Sequence, residues 1–256
     1  MDLDRVLAVI PARYASSRLP GKPLLKIGDW SMIRHVYERV RQLMPHVVVA
    51  TDDERILSEV TSFGGCAVMT STHHKSGTDR VREALDIMEK ENGAKYDLVI
   101  NVQGDEPFVS HGHLTLLIEA FKDDRVDIAT LVHPFPFGVT SDELANPNQV
   151  KVVRSSMGRA LYFSRSVIPY ERNKTEMIYY KHIGLYAYRS HVLRELTELP
   201  INILETTEGL EQLRWLDAGY AIQTQVTHEV SIGIDTIEDL EVARAYFDSL
   251  SCKYHD

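Results

Sequence analysis

Cysteine is nearly absent: the 256-residue chain has two, Cys66 and Cys252. They lie far apart and in no metal-ligand spacing, which argues against a disulfide framework or a zinc module and fits the reduced thiols of a cytoplasmic protein. Positive charge is also scarce. With 28 Lys and Arg against 37 Asp and Glu, the formal charge is −9 and the pI about 5.7, a poor basis for a nucleic-acid platform. A few local cations can still build a site for a small anion. No apolar run approaches the roughly 20 residues of a membrane span. The opening MDLDRVLAVIPARY lacks the basic n-region and cleavage pattern of a secretory leader. Neither G-x-x-x-x-G-K-[ST] nor G-x-G-x-x-G occurs, so a P-loop and a dinucleotide fingerprint are both excluded. Repeats, low-complexity tracts and linkers are missing too, and the length suits one domain over residues 1–256.

What is present is an alternation of short β-branched runs with helical periodicity, the pattern of an α/β sheet with crossover helices. VLAVI (6–10), HVVVAT (46–51), CAVMT (66–70) and the apolar start of DLVINVQGDEPF read as strands. Between them, Ile33, Val36, Val40 and Leu43 recur at helical spacing behind Ser31 as N-cap. Ile56, Leu57, Val60 and Phe63 do so behind Asp52, with Gly64-Gly65 as the stop, and Val81, Ala84, Leu85 and Met88 follow Thr78. From about 126 to 190 the texture changes to VDIATLV, VKVV, RALYFS and YYKHIGLYAYR, antiparallel strands added to a parallel core. Helices are expected again at 190–199, at 204–218 and from Thr236, with a strand at 220–227.

Ligands of open α/β sheets gather beyond the carboxyl ends of the strands, so the polar groups there carry weight. After the first strand come Arg13, Ala15, Ser16, Ser17, Arg18, Gly21 and Lys22. Arginine forks and a lysine point charge grip phosphate oxygens, and small residues let backbone N–H groups approach. A solvated surface loop accounts for the same charges. In VQGDEP, Asp105 stands at a strand end before Pro107 and can ligate a hard cation such as Mg²⁺ or cap a turn. Thr236 and Asp239 form a capping-box pattern that leaves Asp235 unexplained, and two such carboxylates could converge on one metal. In STHHKSGTDR, Ser76, Gly77 and Thr78 could meet a nucleobase edge. The adjacent His73 and His74 point to opposite sides of an extended segment, which makes a shared ion improbable.

Taken in order, IPARYASSRLPGKPL, ATDD, SGTDR, NVQGDEP, VKVV, ALYFSRSVIPY, KHIGLYAYR, LEQLR and IDTIEDL resemble the cytidylyltransferases that make CMP-Kdo, where Kdo is 3-deoxy-D-manno-octulosonate. The resemblance covers nearly the whole chain. It implies an α/β, GT-A-like nucleotidyltransferase fold, with a mostly parallel central sheet and an inserted antiparallel sheet that forms a homodimer. It implies catalytic and triphosphate-binding roles for Arg13, Arg18 and Lys22, Mg²⁺ as cofactor on Asp105 and Asp235, and nucleotide contacts from Ser16, Ser17, Ser76, Gly77, Thr78, Arg80 and Gln103. Arg165, His182, Tyr186, Glu211 and Gln212 would surround the sugar acid, with Arg165 the partner of its carboxylate. The implied partners are CTP and a 2-keto-3-deoxy sugar acid, in the cytoplasm, for lipopolysaccharide synthesis. Ile237 replaces the family's common proline, and the short SIG loop is similar to that of relatives using 8-amino-Kdo. QGDEP, with Glu106, is the form associated with Kdo itself. CMP-sialate synthesis and non-catalytic nucleotide binding are the remaining alternatives.

Overall fold

Val6, Leu7, Ala8, Val9 and Ile10 are all fully buried, so the first strand has protein on both faces and reads as a continuous apolar run rather than an alternating one. The structure, a computed structural model, describes residues 2–15, 19–173, 177–229 and 232–252. The chain forms two compact units, Asp2–Leu114 with the C-terminal segment, and Thr115–Glu229.

The first unit contains β1 (Val6–Ala12), the hairpin strands β2 (Lys26–Ile27) and β3 (Trp30–Ser31), α1 (Met32–Arg41), β4 (His46–Thr51), α2 (Glu54–Ser62), β5 (Ala67–Met69), α3 (Gly77–Asn92) and β6 (Leu98–Asn101). β1 pairs in parallel with β4 and β6, and β4 pairs in parallel with β5. Because every pair is parallel, the loops after these strands open at one edge. Those loops begin at Arg13, Asp52, Thr70 and Val102, which puts Arg13 and the SGTDR and QGDEP motifs on the same side.

Helix α4 (His111–Ala120) carries the chain into the second unit, which continues with β7 (Ile128–Pro134), α5 (Ser141–Ala145), β8 (Lys151–Arg154), β9 (Ala160–Ser164), β10 (Tyr180–Arg189), α6 (Ser190–Glu198), α7 (Ile203–Glu208), α8 (Gln212–Asp217) and β11 (Ile222–Val226). β10 pairs antiparallel with β7 and β8, and β8 antiparallel with β9, while β11 lies parallel to β7. The antiparallel texture expected over 126–190 is therefore present. Finally α9 (Ile237–Cys252) returns to the first unit.

Several local expectations shift by a residue or two. Asp53, not Asp52, caps α2, accepting from the Arg55 N–H at 3.0 Å. Ser76, not Thr78, caps α3, in a reciprocal box with Asp79. Ser31 does stand at the start of α1, but its hydroxyl donates to Glu59 at 2.6 Å instead of capping. The helix expected over 204–218 is two, because Gly209 adopts a left-handed conformation (φ +62°) and ends α7. Short polar side chains have several backbone donors within reach, so the exact cap is decided by tertiary partners.

A small core cluster matters most for the site. Ile27, Met32, Phe108, Ile234, Leu240 and Ala243 are buried together, with Leu19, Leu25, Ile232, Tyr246 and Phe247 packed against them. These residues flank Lys22, Asp105 and Asp235 in sequence. Hydrophobic burial thus ties three chemically important loops to one packed centre.

Candidate nucleotide and cation site

Lys22 starts a 3₁₀ turn, and its Nζ lies 2.6 Å from Asp105 Oδ2 and 3.2 Å from Asp235 Oδ1. Two carboxylates 130 positions apart in sequence converge on one cation. Each loop has a local reason for its course. Gly21, at φ +70°, closes the turn before Lys22 by donating its N–H to the Tyr14 carbonyl at 2.9 Å. Gly104 passes so close to β1 that a Cβ there would lie 2.9 Å from the Pro11 carbonyl oxygen. Directly after it, the Asp105 carbonyl accepts from the Ile234 N–H at 3.0 Å, fixing the two acidic loops to each other. The Asp235 and Thr236 N–H groups both donate to Asp239 Oδ2, and Asp239 N–H to Thr236 Oγ1. Capping therefore falls on Thr236 and Asp239, as the pattern predicts, and the Asp235 carboxylate faces Lys22.

The donor set suits a hard cation. Among the described residues no group of three or more His, Cys, Asp or Glu side chains gathers. Mg²⁺ is commonly held by only one or two carboxylates, with phosphates and water completing its shell. A lysine ammonium standing between Asp105 and Asp235 shows that their oxygens reach a common positive charge.

Arg13 is fastened to the segment that leads into α3: its Nη2 donates to the carbonyls of His74 at 2.7 Å and Ser76 at 3.3 Å. Ser16, Ser17 and Arg18 lie outside the described residues. Ser76 and Gly77 open α3, and Thr78 is buried within its first turn. Arg80 is fully buried, and its guanidinium donates to Asp52 at 2.6 Å and to the Thr70 hydroxyl. Burial lowers its pKa, against the opposing effect of Asp52. Arg80 thus braces the floor of the loop. Gln103 Nε2 donates to Asn101 Oδ1 at 3.3 Å. Of the two vicinal histidines, His74 pairs with Glu83, whose carboxylate also accepts the Ser71 N–H at 2.8 Å, while His73 is exposed.

The residues expected around the sugar acid all belong to the second unit. Arg165 spends its guanidinium on backbone carbonyls, with Nε to Glu208 at 2.7 Å, Nη1 to Pro147 at 2.9 Å and Nη2 to Gly209 at 3.4 Å. His182 sits 3.0 Å from the Thr130 hydroxyl and packs against Phe163 and Tyr186. Burial pushes its imidazole down to about 3, so it is neutral at physiological pH. Burial raises the Tyr186 phenol well above its ordinary value, and its ring stacks on Tyr188 and meets Trp215 edge-on. Gln212 is buried at the start of α8, and the Glu211 carboxylate accepts from the Arg214 guanidinium at 2.7 Å. His182 and Tyr186 therefore share one aromatic cluster, while Arg165 and Glu211 are occupied by neighbours.

Three participants escape sequence reasoning. Trp215 and Thr130 reach the cluster from distant elements. Lys151, fully buried in β8, donates to the Asn146 carbonyl at 2.9 Å. Only Lys151 leaves a trace in the sequence, as a charge inside the apolar run VKVV.

A cytidylyltransferase family model matches residues 7–226. The chain is 51% identical over 250 residues to a 3-deoxy-manno-octulosonate cytidylyltransferase of Porphyromonas gingivalis, covering 95% of this chain and 97% of that one. It is 49% identical over 253 residues to the protein of that name from Parabacteroides distasonis, with 94% and 98% covered. Among solved structures, CMP:2-keto-3-deoxy-manno-octonic acid synthetase complexed with CTP superposes with a TM-score of 0.87 at 44% identity, over 96% of this chain and 99% of that one. Converging carboxylates at the open edge of a parallel sheet, joined to matches along almost the full length, establish that the chain belongs to the cytidylyltransferase family, among the 3-deoxy-manno-octulosonate cytidylyltransferases.

Proposed function

We propose that the protein couples CTP to 3-deoxy-D-manno-octulosonate, giving CMP-Kdo and pyrophosphate. The anomeric hydroxyl oxygen of the sugar acid forms a bond to the α-phosphorus, the bond from that phosphorus to the bridging oxygen of the β-phosphate breaks, and the hydroxyl proton passes to solvent. The observation that carries the reading is the convergence of Asp105 and Asp235 on one positive charge. Those two side chains would hold Mg²⁺, which when bound supplies charge neutralisation at the phosphates and acidifies a ligated hydroxyl.

The chain's own groups do the rest. Lys22 and Arg13 line the same edge of the sheet and offer positive charge to the triphosphate and to the departing pyrophosphate. The α3 N-terminus offers the nucleotide the positive end of its helix dipole, while its Ser76 N–H is given to Asp79 Oδ2 at 3.1 Å in the capping box. His182, held neutral, and Tyr186 offer hydrogen-bonding groups rather than charge to a polyol.

Lipopolysaccharide synthesis in the cytoplasm is the setting this substrate pair implies. Action as a homodimer is supported by apolar side chains left exposed in the second unit, among them Met157, Leu161, Ile178 and Ile203. The function is tested by pyrophosphate release from each of the four NTPs against Kdo, 8-amino-Kdo and N-acetylneuraminate, with the product identified by mass. CTP with Kdo should give the highest kcat/KM. Preference for 8-amino-Kdo would reassign the sugar, and silence with every pair would leave a nucleotide-binding protein.

A further inference from the structure

The Lys22 ammonium stands where a cation held by Asp105 and Asp235 would have to stand. We propose that Lys22 is a displaceable resident counter-ion, so that a divalent cation enters this pair only when a triphosphate draws the ammonium away. The proposal rests on the reading of Asp105 and Asp235 as cation ligands, and it goes further by making cation and nucleotide binding depend on each other through one side chain.

Ammonium and dication compete for the same place, both electrostatically and sterically. An ammonium at 2.6 Å and 3.2 Å from two carboxylates already satisfies both of them, and its side chain is only 13% exposed, which places it on the inner side of the pair. A dication on the same oxygens would sit within a few ångströms of that ammonium, where like charges repel strongly in a partly dehydrated site. One of the two must leave. Lysine is suited to leaving: its charge rides on a flexible four-carbon stem, so Nζ can move several ångströms while the turn at Gly21 and Lys22 stays in place. It needs an anion to receive it. A triphosphate supplies one, whereas Arg13 is held by the carbonyls of His74 and Ser76 and has no comparable movement to make. Linkage then requires reciprocity, since a nucleotide that draws Lys22 away raises cation affinity by the same factor by which the cation raises nucleotide affinity.

The test uses Mn²⁺ as the probe, counted by electron paramagnetic resonance on the full chain. Wild type and Lys22→Met are compared with and without the non-hydrolysable analogue α,β-methylene-CTP. Without nucleotide, K22M should bind Mn²⁺ at least about tenfold more tightly than wild type, within the usual range of coupling between sites. With the analogue present the difference should shrink to about threefold or less, because Lys22 has then been drawn off. Thermal unfolding gives a second readout: K22M without metal should melt below wild type, as its two carboxylates face each other unneutralised, and Mn²⁺ should raise its melting temperature more. Lys22→Gln, which keeps a polar stem, stands in if the methionine variant does not fold.

Equal Mn²⁺ affinities for wild type and variant without nucleotide, abolished in both by Asp105→Asn, would overturn the gate while leaving the carboxylates as ligands. Absence of Mn²⁺ binding in every state, analogue included, would overturn both.

Discussion

At the residue scale the decisive feature is pairing of buried charge. Arg80 has no exposure, and Asp52, 19% exposed, is its carboxylate partner at 2.6 Å. Removing one member of a buried pair leaves the other uncompensated, a loss of about 3–5 kcal/mol when both are fully enclosed. Because Asp52 is partly open, Asp52→Ala should cost about 3 kcal/mol by urea denaturation, at the low end of that range. His182 gives a pH signature. The unfolded chain takes up a proton at this imidazole near pH 6.5, while the folded chain refuses it until about pH 3. Its contribution is therefore full above 6.5 and is lost as pH falls through that window. Denaturant stability of wild type should fall more steeply between pH 6.5 and 4 than that of His182→Asn, and parallel curves would contradict the burial argument. The sequence marked Asp105 as a strand-end carboxylate that could ligate a cation or cap a turn, and Asp235 as one that the Thr236–Asp239 capping pattern leaves unexplained. It did not reveal their shared partner, since Lys22 lies 83 and 213 positions away and only the fold joins them.

At the element scale the site depends on how closely loops pass the end of β1. A Cβ on Gly104 would meet backbone, the Pro11 carbonyl oxygen at 2.9 Å, and backbone cannot rotate aside as a flexible side chain can. Gly104→Ala should lower stability by about 1–3 kcal/mol and displace Asp105, so turnover should fall even at temperatures where the variant stays folded. Circular-dichroism melts and pyrophosphate release together check this, and unchanged values in both would mean the loop yields. The parallel strands and the helices α1, α2 and α3 were legible because period and burial agree in them. The break between α7 and α8 was not. Gly209 is a helix-stop residue of the same kind as Gly64-Gly65, but the helical periodicity that continues on both sides of it masks the break, which Arg165 joins by donating to the carbonyls of Glu208 and Gly209.

At the scale of the whole molecule, an acidic chain gathers cations locally, where Lys22 stands between Asp105 and Asp235 and Arg13 lies beside the start of α3. The formal charge of −9 keeps the surface anionic, while Arg13 and Lys22 are concentrated beyond one end of the parallel strands. This is why composition excluded a nucleic-acid platform without excluding a nucleotide. The other large-scale feature is exposed apolar surface on the second unit. Leu161 is 59% exposed on β9 and Met157 74% exposed just before it. Wild type should run as a dimer in light scattering coupled to size exclusion, and Leu161→Glu should shift it toward monomer. A monomeric wild type would remove the dimer from the account.

The central claim is that Asp105, with Asp235, serves the chemistry of cytidylyl transfer rather than the fold. Its most direct test is the initial rate of pyrophosphate release from CTP and Kdo by wild type and Asp105→Asn, with a melting curve for each. The account predicts turnover by wild type and a loss of about 100-fold or more in the variant, the scale seen when a group stabilising transition-state charge is removed, with melting temperatures within a few degrees. Near-normal turnover by Asp105→Asn, or none by wild type, would contradict it.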